Sequence, residues 1–153
     1  MSWRIGEILI QKKLLTWDQL KDALEEQERT KELIGEILIR KGLVHEHLLY
    51  KALAEQYVMR FVDLSRTRIN PKAVALIPKS VAQKYNILPI ELYRDKLTLG
   101  IGNPIHLWPE EEIKQLAKVT QIDTVLCVPT AIRKAIEESY HQVEVTEALS
   151  GKK

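Results

Sequence analysis

Two glycines, two glutamines and one arginine are the residues whose types and spacing suggest ligand binding. Gly6 and Gly35 stand near the start of predicted helices, and Gln27 and Gln56 each follow one of them by 21 residues. Glycine in a helix costs about 1 kcal/mol relative to alanine, so its use at both places suggests a common purpose. That purpose is either close packing between helices or the approach of a ligand to unpaired helix-start amides, which favour a phosphate oxygen.

The glutamines and Arg4 carry polar groups that suit a nucleotide. A carboxamide both donates and accepts hydrogen bonds, and Gln27 and Gln56 are predicted at the edge of an apolar helix face. Arg4 offers a planar fork suited to phosphate or to the Hoogsteen edge of guanine. The alternatives are solvated glutamines and a surface arginine beside Trp3. Equivalence of the two glutamines within a repeat supports a functional role.

The repeat itself is a tandem duplication. Residues 4–27 align with residues 33–56 at an offset of 29, and 13 of the 24 positions are identical. Unrelated segments of this composition would share about two or three positions, so the match indicates two copies of one structural unit. The shared positions include the Ile-Gly-Glu-Ile-Leu-Ile runs at 5–10 and 34–39.

Each copy is predicted to form a short helix, a tight turn and a longer helix. The apolar residues keep spacings of three and four, which gives every helix one apolar face. Thr16 and Gln19 form a predicted capping box at the start of the second helix, with Leu15 and Leu20 as a hydrophobic staple. In the second copy Gly42 ends the short helix, and the longer helix is predicted from about 45 to 58. One copy cannot bury its apolar face alone, so the two together predict a four-helix subdomain over 1–58.

A second, small α/β subdomain is predicted over 59–142, which makes the fold class α+β. Strands are predicted around 61–64, at 87–93 and 97–101 with a turn at 94–96, and at 123–128. Pro109 and three glutamates after it predict one helix, and Pro129 opens a last helix through Tyr140. Residues 143–153 carry no firm pattern, end in Gly-Lys-Lys, and are predicted to be a flexible tail or a truncated linker.

These residues resemble the MshEN domain, the N-terminal region of type II secretion and type IV pilus assembly ATPases of the GspE and PilB kind. The similarity continues downstream through 62–64, 77–78, 87–90 and 103–104. It implies binding of the second messenger cyclic di-GMP through the paired motifs, with secretion or pilus assembly proteins as further partners. The residues it implies in the site are Arg4, Ile5, Gly6, Leu20, Leu24, Gln27, Leu33, Ile34, Gly35, Leu49, Leu53, Gln56 and Asn103.

The symmetry of that ligand suits a duplicated protein, because cyclic di-GMP contains two guanines and two phosphates related by a two-fold axis. Apolar helix surfaces would meet the flat faces, and polar groups would address the edges and phosphates. The sequence departs from the family pattern at Leu33, where an Arg or Lys often opens the second motif. Either neighbouring Lys31 substitutes for that charge or the affinity is lower. Ile5 and Ile34 replace leucines, and Asn103 replaces an aspartate.

Composition and missing motifs exclude other functions. The 23 basic residues nearly balance 21 acidic residues, which disfavours binding to duplex nucleic acid. No apolar stretch is long enough to insert into a membrane, and the single cysteine fits a reducing compartment, so we expect a cytoplasmic protein. Without a phosphate-binding Gly-Lys-Ser/Thr loop, a nucleophile motif or a metal-ligand cluster, we expect neither an enzyme nor a bound cofactor or metal. The main alternative is a protein-docking module that does not bind nucleotide.

Overall fold

The computed structural model describes the backbone of residues 2–105 and 108–149 and the side chains of 5–105 and 108–144. The architecture is α+β, as predicted. The chain divides into two compact units with the boundary between Met59 and Arg60. Unit 1 denotes the helical part before that boundary, and unit 2 the part that contains the sheet.

Unit 1 consists of four helices, two from each copy of the repeat. They are α1 (Ser2–Gln11), α2 (Trp17–Thr30), α3 (Ile34–Arg40) and α4 (Glu46–Gln56). The predicted capping box begins α2: the Thr16 hydroxyl accepts from the Gln19 amide, and the Gln19 side chain accepts from the Thr16 amide. Both members of the predicted staple, Leu15 and Leu20, are buried in the core of unit 1.

Helix α4 ends two residues before the predicted end at Val58. The Met59 amide donates to the Ala54 carbonyl at 2.8 Å, and the Val58 amide donates to the Glu55 carbonyl at 3.2 Å. This hydrogen-bond pair forces Val58 into the left-handed region at φ 54°, where a helix cannot continue. His45, the predicted first residue of α4, is its N-cap.

Packing in unit 1 follows the duplication. Helix α1 packs against α4, and α2 packs against α3. Exchanging the two copies turns the first contact into the second, which is how an isologous two-fold interface behaves. The buried core draws on both copies, with Leu9, Leu20, Leu38 and Leu49 at most 1% exposed.

Unit 2 contains a three-stranded sheet in the order β1 (Ile87–Tyr93), β2 (Lys96–Ile101), β3 (Gln121–Leu126). Strands β1 and β2 are antiparallel with the turn at Arg94 and Asp95, and β2 and β3 are parallel. The helices are α5 (Pro71–Val74), α6 (Lys79–Tyr85), α7 (Glu110–Ala117) and α8 (Pro129–Leu149). The strands predicted at 87–93, 97–101 and 123–128 are therefore confirmed, and the third begins and ends two residues earlier than predicted.

The prediction of a strand at 61–64 was wrong. Phe61 forms an isolated parallel bridge to Leu126 instead of a strand, and a 3-10 turn follows at Leu64–Arg66. Asp63 explains the change, because its carboxylate accepts from the amide and the hydroxyl of Ser65 at 2.9 and 2.6 Å. Such a local side-chain bond competes with strand pairing and turns the chain.

Helix α8 also differs from the prediction, since it continues past Tyr140 to Leu149. Residues 143–149, predicted as part of a tail, are helical because neither glycine nor proline interrupts the sequence before Gly151. Val143 packs against the core of unit 2, which anchors the extension at its start. The remainder of the predicted tail, 150–153, lies outside the described residues.

Candidate functional site

The two repeat glycines lie where a short helix meets the longer helix of its own copy. A methyl group at Gly6 would come within 2.7 Å of two carbons of Leu20, and one at Gly35 within 2.9 Å of Leu49 Cδ2. Leu20 and Leu49 are fully buried, so they have little room to retreat. The contacts made by both glycines are thus those of close helix packing, the first of the two explanations that the sequence left open.

Two ion pairs display the two-fold relation inside unit 1. Lys12 Nζ lies 2.8 Å from Glu55 Oε2, and Lys41 Nζ lies 3.1 Å from Glu26 Oε1. Lys41 follows Lys12 by 29 residues, and Glu55 follows Glu26 by the same 29. Each pair therefore becomes the other when the copies are exchanged, so these lysine and glutamate positions make equivalent ion-pair contacts in the two copies.

The apolar residues of the predicted site fall into two groups. Four of them are 5% exposed or less and belong to the core, namely Ile5, Leu20, Ile34 and Leu49. Leu24 and Leu53 are half-buried at the margin of that core. Leu24 and Leu53 therefore retain surface that a ligand could touch directly, as does Leu33, which belongs to neither group and is 67% exposed.

The two predicted glutamines have different surroundings despite their equivalent positions. Gln27 Nε2 donates to the Glu32 carbonyl at 3.1 Å, across the linker between α2 and α3. Gln56 is the last residue of α4, and its Oε1 is buried without a hydrogen-bond partner among the described residues. A buried acceptor left unsatisfied costs about 1–3 kcal/mol, which a donor from a ligand would recover.

The residues that open the two motifs, Arg4 and Leu33, also differ. Arg4 lies in α1, and its side chain is outside the described residues. Leu33 is the N-cap of α3, makes no side-chain cap, and is 67% exposed. Lys31, which could substitute for the missing positive charge, is exposed, and its backbone is in the left-handed region at φ 63°.

Asn103 lies in unit 2, in the turn after β2. Its Oδ1 accepts from the Ile105 amide at 2.9 Å, an arrangement that closes an Asx turn. Asn103 is exposed. The carboxamide therefore already shapes its own loop.

Residues 57–146 match the family model of the MshEN domain. The chain belongs to this family. The matched segment covers most of unit 2, whereas the tandem motifs at 4–27 and 33–56 precede it. Relatives of this MshEN domain extend the similarity over the motifs as well.

Two type IV pilus assembly ATPases, both PilB, are among these relatives. The protein from Myxococcus xanthus is 31% identical over 92% of this chain, and the one from Thermus thermophilus is 34% identical over 91%. Bacteriophage adsorption protein B of Escherichia coli is 33% identical over 63% of the chain. The MshEN domain described here spans only 25% and 15% of the two PilB proteins and 13% of the phage adsorption protein.

Solved structures share the fold. A structure of MshE with cyclic di-GMP superposes with a TM-score of 0.75 at 26% identity, covering 90% of this chain and 99% of that one. The N-terminal domain of XpsE gives a TM-score of 0.62 at 18% identity, covering 88% of this chain and 92% of that one, which shows the fold alone.

Sequence reasoning missed a cluster of charges in unit 1 of this MshEN domain. Arg40 contacts the carboxylates of both Glu26 and Glu32, and Lys41 shares Glu26 with it. The available signal was the identity of Lys12 with Lys41 and of Glu26 with Glu55 between the copies. Arg40 gave no such signal, because Gln11 occupies its place in the first copy.

Unit 2 contains an open groove of about 410 Å³ that sequence reasoning also missed. Basic and acidic side chains both line the groove, so it favours neither an anion nor a cation. The lining residues are Lys96, Glu110, Lys114, Thr120, Gln121, Ile122 and Asp123. Within the part of the chain that the structure describes, no three His, Cys, Asp or Glu side chains are grouped to hold a metal. None of the helices in that part is long and apolar enough to span a membrane.

Proposed function

We propose that this chain is a cyclic di-GMP-binding regulatory domain, without catalytic activity, of a bacterial secretion or pilus assembly system in the cytoplasm. The observation that carries the proposal is the internal two-fold relation of unit 1. Lys12 with Glu55 and Lys41 with Glu26 make the same contact in exchanged copies. A ligand built of two identical halves can be recognised by two such copies through equivalent contacts.

Likeness to MshE with cyclic di-GMP supports the same ligand, since the similarity extends over nearly the whole chain. Within unit 1 we assign the polar contacts to Arg4, Gln27 and Gln56 and the apolar contacts to Leu24, Leu53 and Leu33. The buried residues Ile5, Leu20, Ile34 and Leu49, with Gly6 and Gly35, would support that surface from beneath. Asn103 belongs to unit 2, where its Oδ1 closes the loop after β2, and is not assigned to this surface.

A docking module for a pilus or secretion protein is the second candidate. Leu33 favours it, because an apolar side chain that is 67% exposed replaces the expected positive charge. Leucine cannot donate to a phosphate or to guanine, whereas it can pack against a protein partner.

Isothermal titration of the whole chain with cyclic di-GMP separates the two candidates. We expect micromolar or tighter binding that Arg4→Ala and Gln56→Ala each weaken at least tenfold, because each loses a polar contact to the ligand. Lys51→Ala, at an exposed position on α4 that is not among the predicted site residues, serves as the matched control and should bind like the parent. Absence of heat at high ligand concentration would leave the docking function alone.

A further inference from the structure

The linker between α2 and α3, residues 31–33, is held at Glu32. Its amide donates to Thr30 Oγ1 at 3.3 Å, its carbonyl accepts from Gln27 Nε2 at 3.1 Å, and its carboxylate accepts from Arg40 Nη2 at 2.8 Å. Every polar group of this one residue is therefore engaged.

Arg40 links this linker to both neighbouring helices. It belongs to α3, contacts Glu32 in the linker and also contacts Glu26 on α2. The Glu26 side chain is only 13% exposed, and Lys41 contacts its other oxygen at 3.1 Å. A single exposed ion pair contributes little, but a guanidinium that bridges two carboxylates in a network restricts both of them.

Among the described residues, the Arg40 contacts occur at the α2–α3 interface and not at the equivalent α1–α4 interface. There Gln11 takes the place of Arg40, and the Lys12–Glu55 ion pair is the equivalent of the Lys41–Glu26 pair. The second copy of the motif starts at Leu33, directly after Glu32. The Arg40 contacts thus lie next to Leu33, the position at which the second motif lacks the basic residue of the family pattern.

We propose that Arg40 is a positioning residue, which by holding Glu32 fixes the linker from which the second motif begins. The Gln27 side chain donates to the carbonyl of Glu32, so the orientation of its carboxamide depends on the position of the linker. A segment already held in its bound conformation loses less entropy on binding, and this raises affinity. The effect on ligand affinity rests on the proposed function, whereas the effect on the linker does not.

The test compares Arg40→Gln, which installs the residue of the first copy, with Arg40→Lys and with the control Lys12→Gln. Two properties of the ligand-free full chain are measured by NMR: hydrogen exchange of the amides at 31–33 and the side-chain amide signals of Gln27. Isothermal titration with cyclic di-GMP then gives the affinity of each variant.

In Arg40→Gln we expect at least tenfold faster exchange at 31–33, a shift of the Gln27 amide signals, and about three- to tenfold weaker binding. Arg40→Lys should restore part of each effect, since its ammonium can replace Nη2, the nitrogen that contacts both carboxylates, but stands at the end of a shorter side chain. Lys12→Gln breaks the related ion pair of the other copy and should leave the linker unchanged.

Unchanged exchange and unchanged Gln27 signals in Arg40→Gln would overturn the positioning role, whatever the ligand does. If exchange at 31–33 becomes faster in Arg40→Gln but the affinity for cyclic di-GMP is unchanged, the claim that the held linker raises affinity is overturned. If the parent chain itself fails to bind cyclic di-GMP, the proposed function is lost, and the exchange data still decide whether Arg40 positions the linker.

Discussion

Lys13 and Gly42 occupy equivalent positions at the end of the two short helices. Both are left-handed, at φ 61° and φ 72°. The same two backbone hydrogen bonds form at each position. In the first copy the amides of Lys13 and Leu14 donate to the carbonyls of Ile10 and Leu9, both at 2.9 Å. In the second copy the amides of Gly42 and Leu43 donate to the carbonyls of Ile39 and Leu38, both at 3.0 Å. Glycine is the residue that best tolerates this left-handed conformation. The second copy has a glycine there, whereas the first copy adopts the same conformation with a lysine.

Replacing Lys13 with glycine should stabilise the protein by about 0.5–1 kcal/mol, because it removes the energetic cost of the left-handed conformation without removing an ion pair or side-chain hydrogen bond among the described residues. Gly42→Lys should destabilise it by about the same amount. Urea unfolding measures both changes. Lys21→Gly, at an exposed site inside α2, is the control and should destabilise; a loss of stability in Lys13→Gly would contradict the prediction.

Leu33 is the residue at which the second motif lacks its positive charge. Leu33→Arg should strengthen cyclic di-GMP binding by about tenfold, since a charge-assisted hydrogen bond contributes roughly 1.5–3 kcal/mol before ordering costs. The side chain is 67% exposed, so folding should be unaffected. Titration against Val58→Arg, which adds the same charge at a side chain that is 93% exposed, separates a specific contact from a general charge effect. Equal gains in both variants would count against a role for position 33.

At the scale of elements, the glycines determine how closely each short helix approaches its partner. Gly6→Ala would gain about 1 kcal/mol of helix propensity but would place a methyl group 2.7 Å from Leu20. Overpacking of a filled core costs about 1–3 kcal/mol, so we expect a net loss of stability. In a Leu20→Ala background the same substitution should become stabilising. A double-mutant cycle from thermal unfolding checks this reversal of sign.

The α2–α3 contact should also depend on pH through Glu26. Hydrogen bonds from Arg40 and Lys41 lower the pKa of this carboxyl below its usual value of 4.5. A carboxyl with a depressed pKa stabilises the folded state above the unfolded pKa, and that contribution is lost as the pH falls through the folded pKa. The difference in unfolding free energy between the parent and Glu26→Gln should therefore be constant near pH 7 and shrink below about pH 4.5. A pH-independent difference would rule out this linkage.

At the scale of the whole molecule, the division at Met59 and Arg60 suggests that the two units unfold separately. Cys127 reports on unit 2 alone, because it is fully buried there and burial raises the pKa of its thiol to about 12. We expect thiol labelling at pH 8 to be at least a hundredfold slower than for an unfolded chain. Its dependence on urea should follow the unfolding of the sheet, while far-UV circular dichroism, to which the helices of both units contribute, should show a second transition at a different urea concentration. Coincident transitions would indicate one cooperative unit.

Local sequence was sufficient for much of the fold. The capping box at Thr16 and Gln19, the strands on both sides of Arg94, and the helix boundaries near Gly42 all depend on residues within a few positions of one another. Such short-range chemistry can be recognised without knowing the tertiary structure. Where a local signal was overlooked, as at Asp63, the prediction of a strand failed.

By itself the sequence determined that there are two copies of a helical hairpin, which residues are equivalent, and that an α/β unit follows. Only the tertiary structure decided that α1 meets α4 and α2 meets α3, that Leu20 and Leu49 fill the space left by the glycines, and that Arg40 and Gln27 converge on Glu32. These contacts join residues on different elements. Their formation depends on how whole helices pack and on which side chains remain unburied afterwards, and no spacing along the chain encodes that outcome directly.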